Sequence, residues 1–345
     1  MIDGFFFDYL CLMALSYSFV IPVYNRPQEI KELLESFVLI SFNQPFEIVI
    51  VEDGSTLSSE EVVKQYRSKL NISYYSKPNS GPGASRNYGM ERATGNYFII
   101  LDSDCLLPEH YLATVNDFLE RQYHDCYGGA DAAHRSFSPL QKAINYVMTS
   151  FFTTGGIRGS EKSISNFEPR SFNMGISKAA FEKTGGFAKI HPGEDPDLSQ
   201  RILKAGFKTT FIPNAYVFHK RRISWNKFYT QVTKFGLVRP ILNSWHPRAA
   251  KITFWLPSLF LMFVVFSVFS TIFFSKWCIA PLLFYVLLIF FDAALKNKSI
   301  KIGLLAVVAL FVQFFGYGMA FLRSSYYIGL LKKDPVKQFP KLFFK

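Results

Sequence analysis

Cysteine is scarce in this chain of 345 residues, and acidic residues are nearly missing from positions 201–345. The four cysteines, Cys11, Cys105, Cys126 and Cys278, lie far apart and form no CxxC pair. Structural zinc sites and disulfide frameworks both need patterned cysteines, so neither is expected, and a reducing compartment is the simpler interpretation.

The net charge of +12 is divided unevenly along the chain. Residues 1–200 hold 17 Lys or Arg against 24 Asp or Glu, whereas residues 201–345 hold 21 against 2. The basic part also contains the long apolar runs, so its charge is expected to face anionic membrane lipids. No nucleic acid partner is expected, because no zinc-finger spacing or aromatic RNA-binding signature accompanies the charge.

Apolar runs near the C-terminus predict a membrane region over 252–322, followed by a basic tail over 323–345. Two runs, Phe254–Ser275 and Ile302–Leu322, carry no charge and are long enough to cross a bilayer. The run between them is shorter and contains Asp292. Two or three transmembrane helices are therefore predicted.

The charged loops indicate an orientation but leave the number of crossings open. With the N-terminal part in the cytoplasm, the positive-inside rule favours placing Lys296, Lys298 and Lys301 on the cytoplasmic side. Three crossings would export the basic tail, against that rule, so the second run is either re-entrant or the tail is an exception.

Residues 17–222 alternate strand and helix patterns, after an N-terminal extension over 1–16. Short apolar runs such as Ser18–Val23 and Tyr97–Leu101 are separated by amphipathic helical segments. This alternation predicts an α/β domain with a mainly parallel sheet. Ligands bind at the carboxyl ends of such strands, so Asp53 and Asp102, which each follow a strand, are expected to face one pocket.

Six landmarks in this region resemble family 2 glycosyltransferases of the Rossmann-like GT-A fold. They are VIPVYNRP at 20–27, VEDGS at 51–55, NSGPGASRNYG at 79–89, ILDSD at 100–104, GEDPDLSQRI at 193–202, and His219. Each string alone is weak, but their order and spacing follow the family. The resemblance implies an enzyme that uses a nucleotide sugar.

The ILDSD string resembles the DxD motif of this family. A divalent cation held by carboxylates neutralises a leaving diphosphate, and Asp102 and Asp104 offer the hard oxygen ligands that Mg²⁺ or Mn²⁺ prefers. The resemblance makes Asp104 the direct ligand, places Asp102 near the ribose or the metal, and lets His219 complete the metal or diphosphate site. The alternatives are a strand-end turn and a surface histidine.

Residues for the nucleotide are also implied by the resemblance. Pro22, Tyr24 and Asn25 resemble the turn beside the base, and Asp53 resembles the carboxylate that accepts a uracil-like N–H. Arg86 lies at a glycine-rich helix start, where a guanidinium and backbone N–H groups can meet phosphate. The alternative is that these glycines only shape a turn.

Glu194 and Asp195 resemble the family's ED motif, with Asp195 as the candidate catalytic base. Both carboxylates stand at the start of a predicted helix, where acidic residues are also favoured by the helix dipole. That structural role is the alternative for both residues.

A helical segment over 223–251 precedes the membrane region. Its aromatic residues, including Trp225 and Phe228, fall on one face and predict a helix lying on the membrane, with core packing as the alternative. Gln231 and Lys234 stand where processive relatives carry QxxRW, and their degenerate match favours adding one sugar over making a polymer. Both are counted as donor-site candidates.

The sequence therefore predicts an inverting, metal-dependent, non-processive glycosyltransferase. Its expected donor is a UDP-sugar, and its acceptor is a hydroxyl on a lipid or lipid-linked glycan. It is expected to be a multi-pass protein of the cytoplasmic (inner) membrane, with the catalytic domain on the cytoplasmic side. A polyprenyl-phosphate acceptor and a non-catalytic scaffold of the same fold are the alternatives.

Overall fold

A computed structural model describes residues 14–132, 137–154, 167–219 and 224–344. All but the last three residues of the predicted N-terminal extension, 1–16, lie outside this part of the chain. The described residues form two compact units. We call them the sheet unit, with residues 14–132, 167–219 and Phe344, and the helical unit, with residues 137–154 and 224–343.

The sheet unit is built on eight strands. They are β1 (Tyr17–Val23), β2 (Glu47–Asp53), β3 (Ile72–Lys77), β4 (Tyr97–Leu101), β5 (Cys105–Leu106), β6 (Cys126–Ala132), β7 (Asn173–Ser177) and β8 (Thr209–His219). Their order is β3-β2-β1-β4-β7-β6-β8-β5. The first four run parallel, β7 runs antiparallel to β4 and β6, and β5 runs antiparallel to β8. The sheet is therefore mixed, with the predicted parallel part at its N-terminal half.

Thirteen α-helices occur in the described residues. They are α1 (Pro27–Val38), α2 (Glu60–Tyr66), α3 (Pro82–Met90), α4 (Tyr111–Arg121), α5 (Pro139–Thr149), α6 (Phe151–Thr154), α7 (Lys178–Thr184), α8 (Glu194–Lys204), α9 (Trp225–Trp245), α10 (Leu256–Phe273), α11 (Ala280–Asn297), α12 (Ile300–Ser324) and α13 (Pro335–Gln338). Helices α1–α4, α7 and α8 belong to the sheet unit, and the others belong to the helical unit.

The two sides of the sheet are covered by apolar packing. Helix α1 places apolar residues at helical spacing, and its Ile30 and Leu33 are fully buried in the same cluster as Phe19 of β1. Helix α3 lies close to β1 because Gly89 has no side chain, and an added Cβ would overlap Val20. This close approach fixes the start of α3 near the carboxyl ends of the parallel strands.

The helical unit is organised around α12. Helix α9 packs along it at small residues, since a Cβ on Gly236 would lie 2.9 Å from Ala320 and one on Gly316 would lie 2.8 Å from Val232. Phe228 and Val232 of α9 are buried in this cluster. The apolar face of α9 is therefore packed in a core, which was the alternative to a helix lying on the membrane. A position of 223–251 on a membrane surface stays a prediction.

Helix α5 departs from the predicted domain boundaries, because it lies in the helical unit although 17–222 was expected to form one domain. Its Ala143, Ile144 and Val147 are fully buried in the cluster that contains α12. Tyr146 donates a hydrogen bond of 2.6 Å to Asp292 of α11. The apolar face of α5 explains its placement, because its buried residues pack in one cluster with apolar residues of α9, α11 and α12.

Three helices in the described residues are long and apolar enough to cross a membrane. They cover Ile252–Phe273, Lys276–Asn297 and Ile300–Leu330. The second helix is long enough to cross the membrane completely. The sequence had left open whether this segment crosses the membrane or is re-entrant. Its Asp292 is neutralised locally, since Lys296 lies 3.0 Å from it.

Candidate active site

The carboxyl ends of three adjacent parallel strands bring the predicted motifs to one edge of the sheet. Asp53 is the last residue of β2, and Asp102 is the first residue after β4. The turn that contains Tyr24 follows β1. Strands β2, β1 and β4 are neighbours in the sheet. The shared edge predicted for Asp53 and Asp102 is thus present.

A buried arginine connects two motifs that are far apart in the sequence. Arg86 of α3 is 3% exposed. Its guanidinium donates to Asp102 Oδ1 at 2.7 Å and to Glu194 Oε1 at 3.0 Å. Burial opposes the charge of Arg86, but Asp102 and Glu194 outweigh it and raise the pKa of Arg86. Arg86 therefore fixes the DSD motif and the ED motif relative to each other.

Glu194 is held as a carboxylate at the start of α8. Its Oε1 also lies 2.9 Å from His191 Nδ1. Burial by itself disfavours the charge, but the hydrogen bond and charge of His191, together with Arg86, lower the pKa of Glu194 to about 2. Its second oxygen, Oε2, is buried and has no hydrogen-bond partner among the described residues.

Asp195, the next residue, has the opposite electrostatic environment. Its side chain is 16% exposed, and Arg170 lies 3.6 Å away, beyond hydrogen-bonding distance. Burial and the neighbouring charge of Glu194 raise the pKa of Asp195, and the attraction of Arg170 offsets only part of this. Two adjacent carboxylates with pKa values pushed apart suit different roles: a fixed anion at Glu194 and a proton acceptor at Asp195.

Asp53 organises the glycine-rich loop before α3. Its Oδ1 accepts from Ser80 N and its Oδ2 accepts from Gly81 N, both at 2.9 Å. Lys77 Nζ lies 2.5 Å from Oδ1. Because both carboxylate oxygens already accept from the protein, Asp53 shapes this loop in the present structure. Its contact with a nucleobase stays a prediction.

The turn after β1 is tied to the loop after β2 by Asn25. The backbone of Asn25 has a φ of 54°, and its Oδ1 accepts from the backbone N–H groups of Thr56 and Leu57 at 2.8 and 2.9 Å. Tyr24 is 52% exposed, whereas Pro22 lies inside β1 opposite Val51. Of the three residues expected beside the base, Tyr24 is the one that presents an open surface.

The residues proposed for a metal fit one in their chemistry. Asp102 is 32% exposed, and its Oδ2 makes no hydrogen bond to a described residue, so it keeps a hard oxygen for a cation. Asp104 pairs with Arg26 at 2.6 Å. The backbone of His219 pairs with Cys105, the residue after Asp104, while its side chain lies outside the described part. Within that part, no three His, Cys, Asp or Glu side chains form a metal cluster.

Two candidate residues belong to the helical unit. Gln231 and Lys234 lie on α9, and both are partly buried there. Their contribution to a donor site stays a prediction.

Three residues with important contacts were not among the candidates. Lys77 pairs with Asp53, Arg170 faces Asp195, and His191 binds Glu194. Lys77 lies two residues before the start of the NSGPG string and His191 lies three residues before Glu194, so both could have been suspected from position. Arg170 lies 25 residues from Asp195 in the sequence and carried no such signal.

Comparisons with known proteins show which proteins this chain is similar to. Residues 18–185 match the family model described as "Glycosyl transferase family 2". An uncharacterized glycosyltransferase of Rickettsia felis is 35% identical over 136 residues, which are 39% of this chain and 22% of that protein. The poly(ribitol-phosphate) beta-N-acetylglucosaminyltransferase TarS of Staphylococcus aureus is 32% identical over 114 residues, 32% of this chain and 20% of that protein.

The fold has a solved counterpart as well. The mannosyltransferase PcManGT from Pyrobaculum calidifontis, solved in complex with GDP-Man and Mn²⁺, superposes with a TM-score of 0.54. The match covers 94% of this chain and 89% of that one at 15% identity, which confirms the predicted GT-A fold. This chain spans about a fifth of the length of the curated relatives named above. Residues 18–185 are therefore similar to a glycosyltransferase family 2 domain, and this match covers just under half of the chain.

Proposed function

We propose that this chain is an inverting glycosyltransferase that moves one sugar from a nucleoside diphosphate to a hydroxyl of a membrane-associated acceptor. The contrast between Glu194 and Asp195 carries the proposal. Glu194 stays charged because Arg86 and His191 hold it, whereas Asp195 has a raised pKa and only a distant cation. A carboxylate of that kind accepts a proton readily in general base catalysis.

The reaction then follows from the positions of these groups. Asp195 takes the proton of the acceptor hydroxyl, and the acceptor oxygen attacks the anomeric carbon as the bond to the diphosphate breaks. Arg86 pairs with both Asp102 and Glu194 and so fixes the distance between them. The residues proposed for the donor therefore stay close to the proposed base, which follows Glu194 in the chain. Mg²⁺ or Mn²⁺, held by Asp102 and Asp104, would supply charge stabilisation for the departing diphosphate when bound.

The donor is proposed to be a nucleotide sugar, with UDP-sugars first among the candidates. The exposed Tyr24 offers a surface on which a base can stack. The solved relative with GDP-Man and Mn²⁺ illustrates this pairing of donor and metal on the same fold.

The acceptor is proposed to be a lipid or a lipid-linked glycan at the cytoplasmic face of the inner membrane. Three helices apolar enough to cross a bilayer support membrane attachment. The surplus of Lys and Arg in residues 201–345 supports contact with anionic lipids on that face.

Binding of a panel of nucleotide sugars tests the donor assignment. We expect thermal unfolding of the full chain in detergent to shift upward with one class of donor in the presence of Mn²⁺, because a ligand of the native state stabilises it. The variant Asp104→Ala should lose this metal-dependent shift. Asp117→Ala serves as the matched control, because Asp117 is an exposed acid on α4 whose charge acts on Tyr17, at the amino end of β1.

The outcomes separate the hypotheses. A donor shift that is the same with and without Mn²⁺, in both wild type and Asp104→Ala, would contradict the metal assignment. Donor binding without any transfer to membrane extracts would favour the non-catalytic scaffold.

A further inference from the structure

Phe344, in the basic tail, lies against two loops of the candidate active site. Phe344 belongs to the sheet unit. Its backbone N–H donates to the carbonyl of Lys189 at 3.0 Å, and its ring lies 6.1 Å from the ring of His191, between centroids. The same ring covers Gly81, where an added Cβ would overlap it. Phe344 therefore touches the glycine-rich loop and the approach to the ED motif.

These two loops are already joined by a series of contacts. Asn87 of α3 donates to the carbonyl of Phe187 at 2.9 Å and accepts from its N–H at 2.8 Å. One turn earlier, a Cβ on Gly83 would lie 2.9 Å from the carbonyl of Ala188. Phe344 adds a further contact between the two loops, at Gly81 and His191. Gly81 N–H donates to Asp53, and His191 forms a hydrogen bond with Glu194.

We propose that Phe344 is a positioning residue of the donor site, supplied by a tail that returns to the catalytic side of the membrane. It acts through Gly81, which shapes the backbone at the start of α3, and through His191, which keeps Glu194 ionised and aligned on Arg86. Gly81 has a φ of 91°, a conformation that suits glycine and leaves room for the ring. The inference rests on the proposed function.

The same contact decides the parity of the membrane crossings. The chain leaves the sheet unit after His219 and belongs to it again at Phe344. A chain that returns to the face it left crosses the bilayer an even number of times, so at most two of the three candidate helices complete a crossing. This placement also keeps the basic tail residues on the side that the positive-inside rule prefers: Arg323, Lys332, Lys333, Lys337 and Lys341.

Donor kinetics of the full chain test the positioning role. Phe344→Ala should raise the donor KM about tenfold, the change that a loss of about 1.4 kcal/mol produces, while kcat falls less. Phe344→Leu, which keeps an apolar side chain on Gly81, should restore most of the donor affinity. Val336→Ala is the matched control, because Val336 is exposed in the same tail and should leave the donor KM unchanged.

The kinetic outcomes keep the two proposals apart. A wild type without any donor-dependent transfer would overturn the proposed function. A wild type that transfers sugar, with Phe344→Ala equal to it in donor KM, would overturn the positioning role. A higher activity in Phe344→Ala would also overturn it, because the tail would then block the site.

Labelling of introduced cysteines tests the return of the tail. Lys31→Cys on α1 and Lys341→Cys in the tail are both exposed. In a Cys11→Ser, Cys278→Ser background, the remaining Cys105 and Cys126 are buried. A membrane-impermeant maleimide should label both introduced cysteines in inverted vesicles and neither in right-side-out vesicles. Labelling of the two from opposite faces would overturn the inference.

Discussion

The sheet unit and the helical unit are each stabilised internally by a different kind of contact. In the sheet unit, single charged groups fix distant segments, as Arg86 does for Asp102 and Glu194. In the helical unit, the contacts are apolar and are shared by many residues, with glycines such as Gly236 allowing helices to approach. The comparison teaches that substitutions of single charged groups in the sheet unit should affect chemistry or stability or both, whereas substitutions in the helical unit should affect stability alone.

The largest effect is expected at the candidate base. Asp195→Asn keeps the shape of the side chain but cannot accept a proton, so kcat should fall about 10²–10⁴-fold with donor binding retained. Steady-state kinetics and calorimetric donor titration measure the two properties separately. Asp117→Asn is the control and should leave both unchanged. Normal turnover in Asp195→Asn would favour a polyprenyl-phosphate acceptor, which needs no base, and lost donor affinity would place Asp195 in the donor site.

The next effect is expected on folding of the sheet unit. Arg86→Met leaves Asp102 and Glu194 without their shared cation, and removing one partner of a buried ion pair costs about 3–5 kcal/mol. Denaturant unfolding should report a loss of that size. Arg67→Met is the control, because Arg67 is an exposed arginine directly after α2. Equal stability of the two variants would show that the buried network is not a structural connection.

In the helical unit, the glycine contacts offer the contrasting test. Gly316→Leu places a side chain against Val232 and Tyr229, and overpacking of this kind costs about 1–3 kcal/mol. Thermal unfolding should shift downward while the donor Kd stays the same. Gly329→Ala is the control, since an added Cβ there meets no atom within 4 Å. A change in donor Kd without a change in stability would break the division of roles between the units.

The smallest effect concerns pH. The pKa of Asp195 is raised and that of Glu194 is lowered to about 2, so kcat should fall with acid as Asp195 is protonated, while Glu194 stays charged. The pKa of Asp195 in the folded state lies above its value in the unfolded state. Asp195 therefore contributes stability that is fully present below the unfolded pKa and is lost as pH rises through the folded pKa. Asp195→Asn should therefore be slightly more stable than wild type at neutral pH and equal to it in acid. A lower stability at neutral pH would contradict the raised pKa.

The ends of the strands were predicted well from the sequence. An apolar run that is followed by an acidic or glycine-rich string marks clearly where a strand ends. Tyr97–Leu101 was predicted with the bounds that the structure has. A helix start is harder to predict: Ser58 and Glu61 have the spacing of a capping box, yet α2 begins after Ser59, and Ser58 Oγ accepts from Glu60 N–H. Local patterns compete at a helix start, and tertiary contacts decide between them.

The partners of the charged residues could not be read from the sequence. Arg86 and Glu194 are separated by 108 positions, and only the packing of α3 against the loop before α8 brings them together. The same holds for α5, whose apolar face gave no indication of which unit it would join. Residue types were therefore predictable, whereas the choice of partner depended on the three-dimensional packing.

The stereochemistry of donor hydrolysis tests the central claim most directly. With water in place of the acceptor, proton NMR can follow the sugar released from an α-linked nucleotide donor before mutarotation proceeds. Asp195 acting as a base for in-line attack predicts that the β-anomer appears first and that Asp195→Asn suppresses it. First appearance of the α-anomer would contradict the inverting mechanism and the role assigned to Asp195.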